Sequence, residues 1–121
     1  MLLDREFVFY DTDSSYIAEM AVETTMAAHM DCIICMDDNI CIGILKILRK
    51  KGIEVPDDIK LVSLHNSPIL DDWYPPISCI SIDVDELGME AARILYEYLT
   101  KANKSSWSIL GYEIKMKDSM N

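Results

Sequence analysis

The sequence predicts an α/β fold with a mostly parallel sheet and helical crossovers, and three observations carry that reading. Short apolar runs of strand type at residues 32–36, 59–64 and 78–82 alternate with stretches of helical periodicity. The run CIICM at 32–36 is apolar without a break, as in parallel strands buried on both faces. The connection from it to the next strand is punctuated as a helix, with Asp37-Asp38 before it, Gly52 at its end and the turn Val55-Pro56-Asp57-Asp58 after it.

Taken in order, residues 6–10 (EFVFY) read as a short strand, and Asp11, Thr12, Asp13, Ser14 and Ser15 supply turn and N-cap chemistry. The next helix sets Ile17, Met20, Ala21, Thr24 and Ala28 on one face and ends near His29. After the strand at 32–36, Asp38 is placed to cap a second helix, because a carboxylate there accepts N–H groups that the first turn leaves unpaired. Ile40, Ile44, Ile47 and Leu48 form its buried face. Lys46, Arg49, Lys50 and Lys51 gather toward its C-terminal end, where cations suit the helix dipole. Residues 59–64 make another buried strand. The stretch 67–76 is a surface loop, since Pro68, Pro75 and Pro76 are unsuited to a helix interior or a central strand. Residues 78–82 form a strand, then Asp83 and Glu86 make a capping pattern ahead of a helix to Thr100 with Val84, Leu87, Ala91, Ile94, Leu95, Tyr98 and Leu99 at its apolar positions. A polar break at 103–106 precedes a terminal strand at 109–117 with a frayed tail.

A chain of 121 residues, 50% hydrophobic and 26% charged, has the balance of one soluble globular domain, so residues 1–121 are read as a single unit. With 21 acidic against 11 basic side chains the net charge is -10, which repels a phosphate backbone and excludes nucleic-acid binding by the domain's own field. No apolar run reaches transmembrane length, and Met1-Leu2-Leu3 followed by Asp4, Arg5 and Glu6 is not a secretory signal, so no membrane association is expected and the cytoplasm is the expected compartment. Cys32, Cys35, Cys41 and Cys79 lie in apolar stretches, where a thiol behaves as a small buried hydrophobe. A CxxC metal or redox site at Cys32 and Cys35 is disfavoured, because their odd separation within a strand sends the two side chains to opposite faces.

The stretch CMDDNICIGILKILRKKGIEVPDDIKLVS at 35–63 resembles, nearly without gaps, one part of the LacI/GalR-type transcriptional regulators: a strand, an Asn-Asp turn, a helix, a "G-hydrophobic-x-V-P-x-D-I" turn and the next strand. PPIS, CISID, ELGMEAARIL and YEIKMKDS match later family segments in the same order. The resemblance runs from Phe7 to Ser119 and is weak over the first thirty residues. It implies one lobe of a periplasmic-binding-protein-like (type I) effector domain, three-layered and incomplete at its N-terminal side. It further implies a cytoplasmic regulator that reads operator DNA only through a helix-turn-helix headpiece not contained in this chain. The family's first strand of this lobe lies inside the sheet, upstream of Glu6, so two strands here are expected to lack a neighbour. The helix at 83–100 packs in the family on a first lobe not contained here. Unpaired edges and an uncovered apolar helix face lead to an expected homo-oligomer, a dimer, with segment exchange as one route to it.

The resemblance also places the effector, a sugar or sugar phosphate, at the C-terminal ends of the strands. Asp37 stands where the family usually has a polar residue that hydrogen-bonds the effector, and a carboxylate there can accept two hydroxyls; sharing the helix cap with Asp38 is the competing role. His65 and Asn66 occupy the strand end where the family commonly has an aspartate. An imidazole offers one donor and one acceptor when neutral, and bonding to loop backbone is its competing role. Asp13 is the remaining candidate, from the end of the first strand. Ile82 and Val84 are read as core or hinge packing, and Trp73 and Tyr74 as anchors of the proline-rich loop rather than stacking platforms.

Two other classes meet obstacles. A phosphoacceptor receiver domain would use Asp37-Asp38 but needs a further Asp at the next strand end, which here reads Leu64-His65-Asn66. An enzyme finds no Gly-rich phosphate loop, no G-x-S-x-G elbow and no cluster of metal ligands, so no catalytic residue, metal or cofactor is assigned. A transporter's substrate-binding protein shares the fold but needs an export signal.

Overall fold

The computed structural model describes residues 4–10, 15–100 and 107–121. Helix α1 spans Ser15–Ala27, strand β1 Cys32–Cys35, helix α2 Asp38–Lys50, strand β2 Lys60–Ser63, strand β3 Ser78–Ser81, helix α3 Val84–Leu99 and strand β4 Glu113–Lys115. One-turn 3-10 helices occupy Arg5–Phe7 and Pro68–Leu70. The sheet order is β1-β2-β3-β4, with β1, β2 and β3 parallel and β4 antiparallel to β3. This is the open, mostly parallel sheet that the sequence predicts.

The register aligns Cys35, Ser63 and Cys79 in one row, and all three are buried under α2, which lies across β1 and β2. Leu45 and Leu48 of α2 meet Leu61 of β2 together with Ile59, Leu70 and Ile77 in the centre of the core. Helix α2 buries Cys41, Ile42, Ile44, Leu45 and Leu48, while Ile40 and Ile47 of the expected face only flank the core. Helix α1 packs on α2 through Ala18, Ala21, Val22 and Thr25. Of its expected face only Ala21 is buried. Small residues let the two helices approach closely, which the larger Ile17 and Met20 would oppose. Lys50–Glu19 and Lys51–Glu23 ion pairs at 3.4 and 2.6 Å tie the helices along their solvent side.

Both helices stop by the same device. Gly52 stands at φ 72° while its N–H bonds Arg49 O and the next N–H bonds Leu48 O. His29 takes the equivalent place after α1 at φ 53°, with bonds from His29 N to Met26 O and from Met30 N to Thr25 O. A histidine in the left-handed region is the less comfortable of the two, since a Cβ opposes that backbone.

Four expectations change. Residues 8–10 are extended but join no sheet, and residues 5–7 form a 3-10 turn instead of a strand. An apolar run needs a hydrogen-bonding neighbour to become a strand, and none of the described strands lies beside it. Strand β1 sits at the sheet edge, as a strand without its neighbour does, but it is not buried on both faces as its apolar run suggests: Ile34 is 64% exposed. The third layer is not built by the described residues: α3 contains no buried residue, and the face opposite α2 shows Ile34 and Ile114 to solvent. Finally, the chain end is pinned rather than frayed. Buried Ser119 donates through Oγ to Leu61 O at 2.6 Å, accepts from Ser78 N at 2.8 Å, and pairs its own N–H and carbonyl with Pro76 O and Leu61 N. The turn at 11–14 and the polar break at 103–106 lie outside the described residues.

Candidate functional site

Three parallel neighbouring strands end on one rim, so whatever follows β1, β2 and β3 is brought together there. A bond from Leu64 N to Cys35 O at 2.8 Å carries the ladder past the strand ends and sets residues 36–38 beside residues 64–67.

Asp37 is the N-cap of α2. Its backbone is extended (φ -144°, ψ 173°), its Oδ1 accepts from Ile40 N at 2.9 Å, and its carbonyl accepts from Cys41 N. Capping uses one carboxylate oxygen and leaves the other for the rim. Asp38, the expected cap, has already entered the helix. Its side chain, 15% exposed, reaches across to the β2 end, where Oδ2 accepts from the Ser67 hydroxyl and lies 3.9 Å from His65 Nδ1. The Ser67 hydrogen bond, only partly offset by desolvation, holds the Asp38 carboxyl below the usual carboxylate range. Asp38 is thus an ionised strut between two strand ends.

His65 is the exposed member of this group, with 59% of its side chain open and its N–H donated to Ser63 Oγ at 3.2 Å. Asn66 is less free than the sequence suggests. Its Nδ2 donates to Ser81 Oγ at 3.3 Å and its Oδ1 accepts from Cys79 Sγ at 3.1 Å, so each end of the amide is tied once to β3 and keeps one further donor or acceptor. It braces the rim. Asp13 lies outside the described residues. Asp83 follows β3 and caps α3, its Oδ1 accepting from Asp85 N and Glu86 N at 3.0 Å each.

The structure therefore brings Asp37 and His65 to the same rim and adds two groups that sequence reasoning missed, Ser67 and Ser81. A Ser-Pro step signals an N-cap, which is the place Ser67 takes before Pro68, but nothing in the sequence says that its hydroxyl turns instead to Asp38. Ile82 and Val84, expected to pack, are 47% and 69% exposed. Trp73 anchors its loop as expected: it packs against the core, with Lys46 Nζ 5.3 Å and Arg49 Cζ 5.5 Å from its ring centre. Tyr74 is no anchor, being 81% exposed.

All four cysteines are free thiols. A hydrogen bond to Cys35, then burial, pushes the Cys41 thiol far up, and burial raises Cys32, so neither is a thiolate nucleophile. Among the described residues no group of three His, Cys, Asp or Glu is arranged to hold a metal ion, and no helix is long and apolar enough to cross a membrane.

Residues 4–120 match the family model of the periplasmic binding protein-like domain. Over 90 residues the chain is 31% identical to the HTH-type transcriptional regulator GalR of Streptococcus thermophilus, a match covering 74% of this chain and 27% of that protein. The transcriptional regulator CelR in its cellobiose complex superposes with a TM-score of 0.80 at 22% identity, covering 98% of this chain and 37% of CelR. A LacI family regulator from Arthrobacter sp. FB24 in complex with lactose superposes with a TM-score of 0.76 at 23% identity, covering 95% of this chain and 45% of that one. The chain spans less than half the length of each. With a sheet, a rim and a sequence pattern in agreement, the chain belongs to the periplasmic binding protein-like domain family, in the form that LacI/GalR-type transcriptional regulators carry.

Proposed function

We propose that this chain is the effector-sensing lobe of a LacI/GalR-type transcriptional regulator, binding a carbohydrate at the C-terminal rim of β1, β2 and β3. The observation that carries the reading is the convergence of the free Asp37 carboxylate oxygen with exposed His65 across the Asp38–Ser67 strut. A carboxylate oxygen accepts from sugar hydroxyls, and an imidazole can both donate and accept. Two of the structural relatives are complexes with neutral disaccharides, cellobiose and lactose. The domain's net charge of -10 fits a protein that leaves DNA contact to a separate headpiece, in the cytoplasm. Occupancy of the cleft would then shift the balance between two lobe arrangements and with it the DNA affinity of the headpiece. The same reading makes the protein a homodimer and gives it no catalytic chemistry.

Calorimetry with a panel of mono- and disaccharides tests the site on the regulator that carries this lobe. Asp37→Asn keeps a good N-cap and removes only the carboxylate, so it separates binding from folding. The expected result is an unchanged melting temperature with affinity lowered about tenfold, and no detectable binding when His65→Ala is added. Affinity unchanged in the double variant would overturn the site.

A further inference from the structure

The rim holds the two places where an anion would ordinarily bind, the N-termini of α2 and α3, whose first-turn N–H groups and dipole favour negative charge. The protein's own aspartates fill both. In α2, Ile40 N donates to Asp37 Oδ1 at 2.9 Å and Asn39 N to Asp38 Oδ1 at 3.0 Å. In α3, Asp85 N and Glu86 N both donate to Asp83 Oδ1 at 3.0 Å. The following N–H of each helix, on Cys41 and on Leu87, goes to the carbonyl of the capping aspartate.

Nothing in the rim segments offsets that charge. Residues 36–41, 64–67 and 81–87 contain no lysine or arginine, and Asp85 and Glu86 add two more carboxylates to the first turn of α3. His65 is the one side chain of these segments that can become a cation, and its Nδ1 already faces Asp38 Oδ2 at 3.9 Å. The hydrogen-bonding capacity left by the caps has the same sense. The second carboxylate oxygens of Asp37 and Asp83 can only accept, so they suit hydroxyl groups and oppose a phosphate or carboxylate, whose ionised oxygens also only accept.

We propose that this rim admits uncharged, hydroxyl-bearing sugars and excludes their phosphate esters and acid forms, with Asp37 and Asp83 setting the selection. The proposal rests on the carbohydrate reading of the rim and narrows it: of the sugar and the sugar phosphate expected from the sequence, only the sugar fits this pattern of charge. Its hydroxyls donate to the carboxylate oxygens, whereas an anionic group finds the helix N-termini occupied and meets like charge within a Debye length of about 8 Å.

Calorimetry on the regulator that carries this lobe tests it, with glucose, galactose, lactose and cellobiose each set against its phosphate ester, and with glucuronate and galacturonate. The expected result is that a neutral sugar binds and its charged counterpart binds more than about tenfold more weakly. Raising the salt to about 1 M, which shortens the Debye length to about 3 Å, should narrow that ratio. Asp83→Asn keeps a good N-cap and removes the charge, so it should narrow the ratio about threefold without lowering the melting temperature. A phosphate ester or uronate that binds as tightly as its neutral parent overturns the proposal and leaves the carbohydrate reading standing. A ratio that neither salt nor Asp83→Asn moves also overturns it, because the selection would then be steric. Absence of binding by every sugar, charged and neutral, overturns the carbohydrate reading and this proposal with it.

Discussion

Asp38 shows how much a single side chain at the rim does for the fold as well as for the site. It joins the start of α2 to the loop after β2 by accepting from Ser67, and it faces His65 at 3.9 Å. A carboxyl held below its usual range by a native hydrogen bond binds protons less readily in the folded state than in the unfolded one. Its contribution to stability is therefore complete above the unfolded value near pH 4 and is lost as pH falls through the lower folded value. Ser67→Ala should destabilise the domain by about 1 kcal/mol at pH 7, the ordinary worth of a hydrogen bond to a partly exposed charge. The difference between the two proteins should shrink as pH falls below the unfolded value near 4 and vanish once the carboxyl is protonated in both folded proteins. Urea unfolding at pH 7, 5 and 3 measures it; a constant difference across that range would mean that Ser67 acts otherwise than through the Asp38 carboxylate.

Among the elements, α2 and α3 have similar sequence patterns and opposite fates. Each begins with an aspartate cap and repeats apolar residues at helical spacing, yet α2 buries five side chains and α3 none. The contrast lies in what is beside them: α2 has the sheet and α1, whereas α3 leaves Leu87, Leu95 and Leu99 at least 49% exposed. Among the described residues α3 is held chiefly by local forces, the Asp83 cap and the Arg93 pairs to Glu90 at 2.8 Å and Glu97 at 2.7 Å, with a hydrogen bond between Ser108 and Glu90 besides. Such solvent-screened pairs add little, and a helix of 16 residues is marginal without packing. Hydrogen exchange should therefore rank α3 far below α2 and β2 in protection, with α2 approaching the global unfolding limit. Equal protection of the two helices would mean that α3 is covered in solution.

At the scale of the molecule, apolar surface is spread over two places: the α3 helix and the sheet face carrying Ile34, Ile80 and Ile114, next to the unpaired edge of β1. Strand β1 has none of the devices that blunt an edge, since CIIC contains no charge, proline or bulge. That surface supports the proposed self-association, and sedimentation should then show concentration-dependent dimers. Ile34→Lys places a charge on the exposed edge strand at a position that does not support the core. It should shift the population toward monomer while leaving the melting profile of the monomer within about 0.5 kcal/mol. A fully monomeric wild-type chain at millimolar concentration would remove the dimer from the proposed function.

Much of the fold was legible because its signals are local. The Asp37-Asp38 turn, the Gly52 stop, the Pro56-Asp57 turn and the Asp83 cap each depend on groups a few residues apart, and all mark real boundaries. The same is true of the rim's location, since strand ends bearing Asp37 and His65 follow from where the strands stop. What failed was whatever depended on a distant neighbour. EFVFY has strand composition but no pairing partner among the described strands, and the α1 face is chosen by how closely α2 can approach. The ties of Asn66 to β3 and the burial of Ser119 by contacts with Leu61 and Ser78 likewise come from far along the chain.

By itself the sequence determined the order of elements, the parallel sheet and the strand ends at which a site can form, because propensity, capping and periodicity act within a few residues of each other. Tertiary structure alone decided which aspartate caps α2 and which bridges to Ser67, and which helix is covered, because those outcomes depend on which surfaces meet across tens of residues of chain.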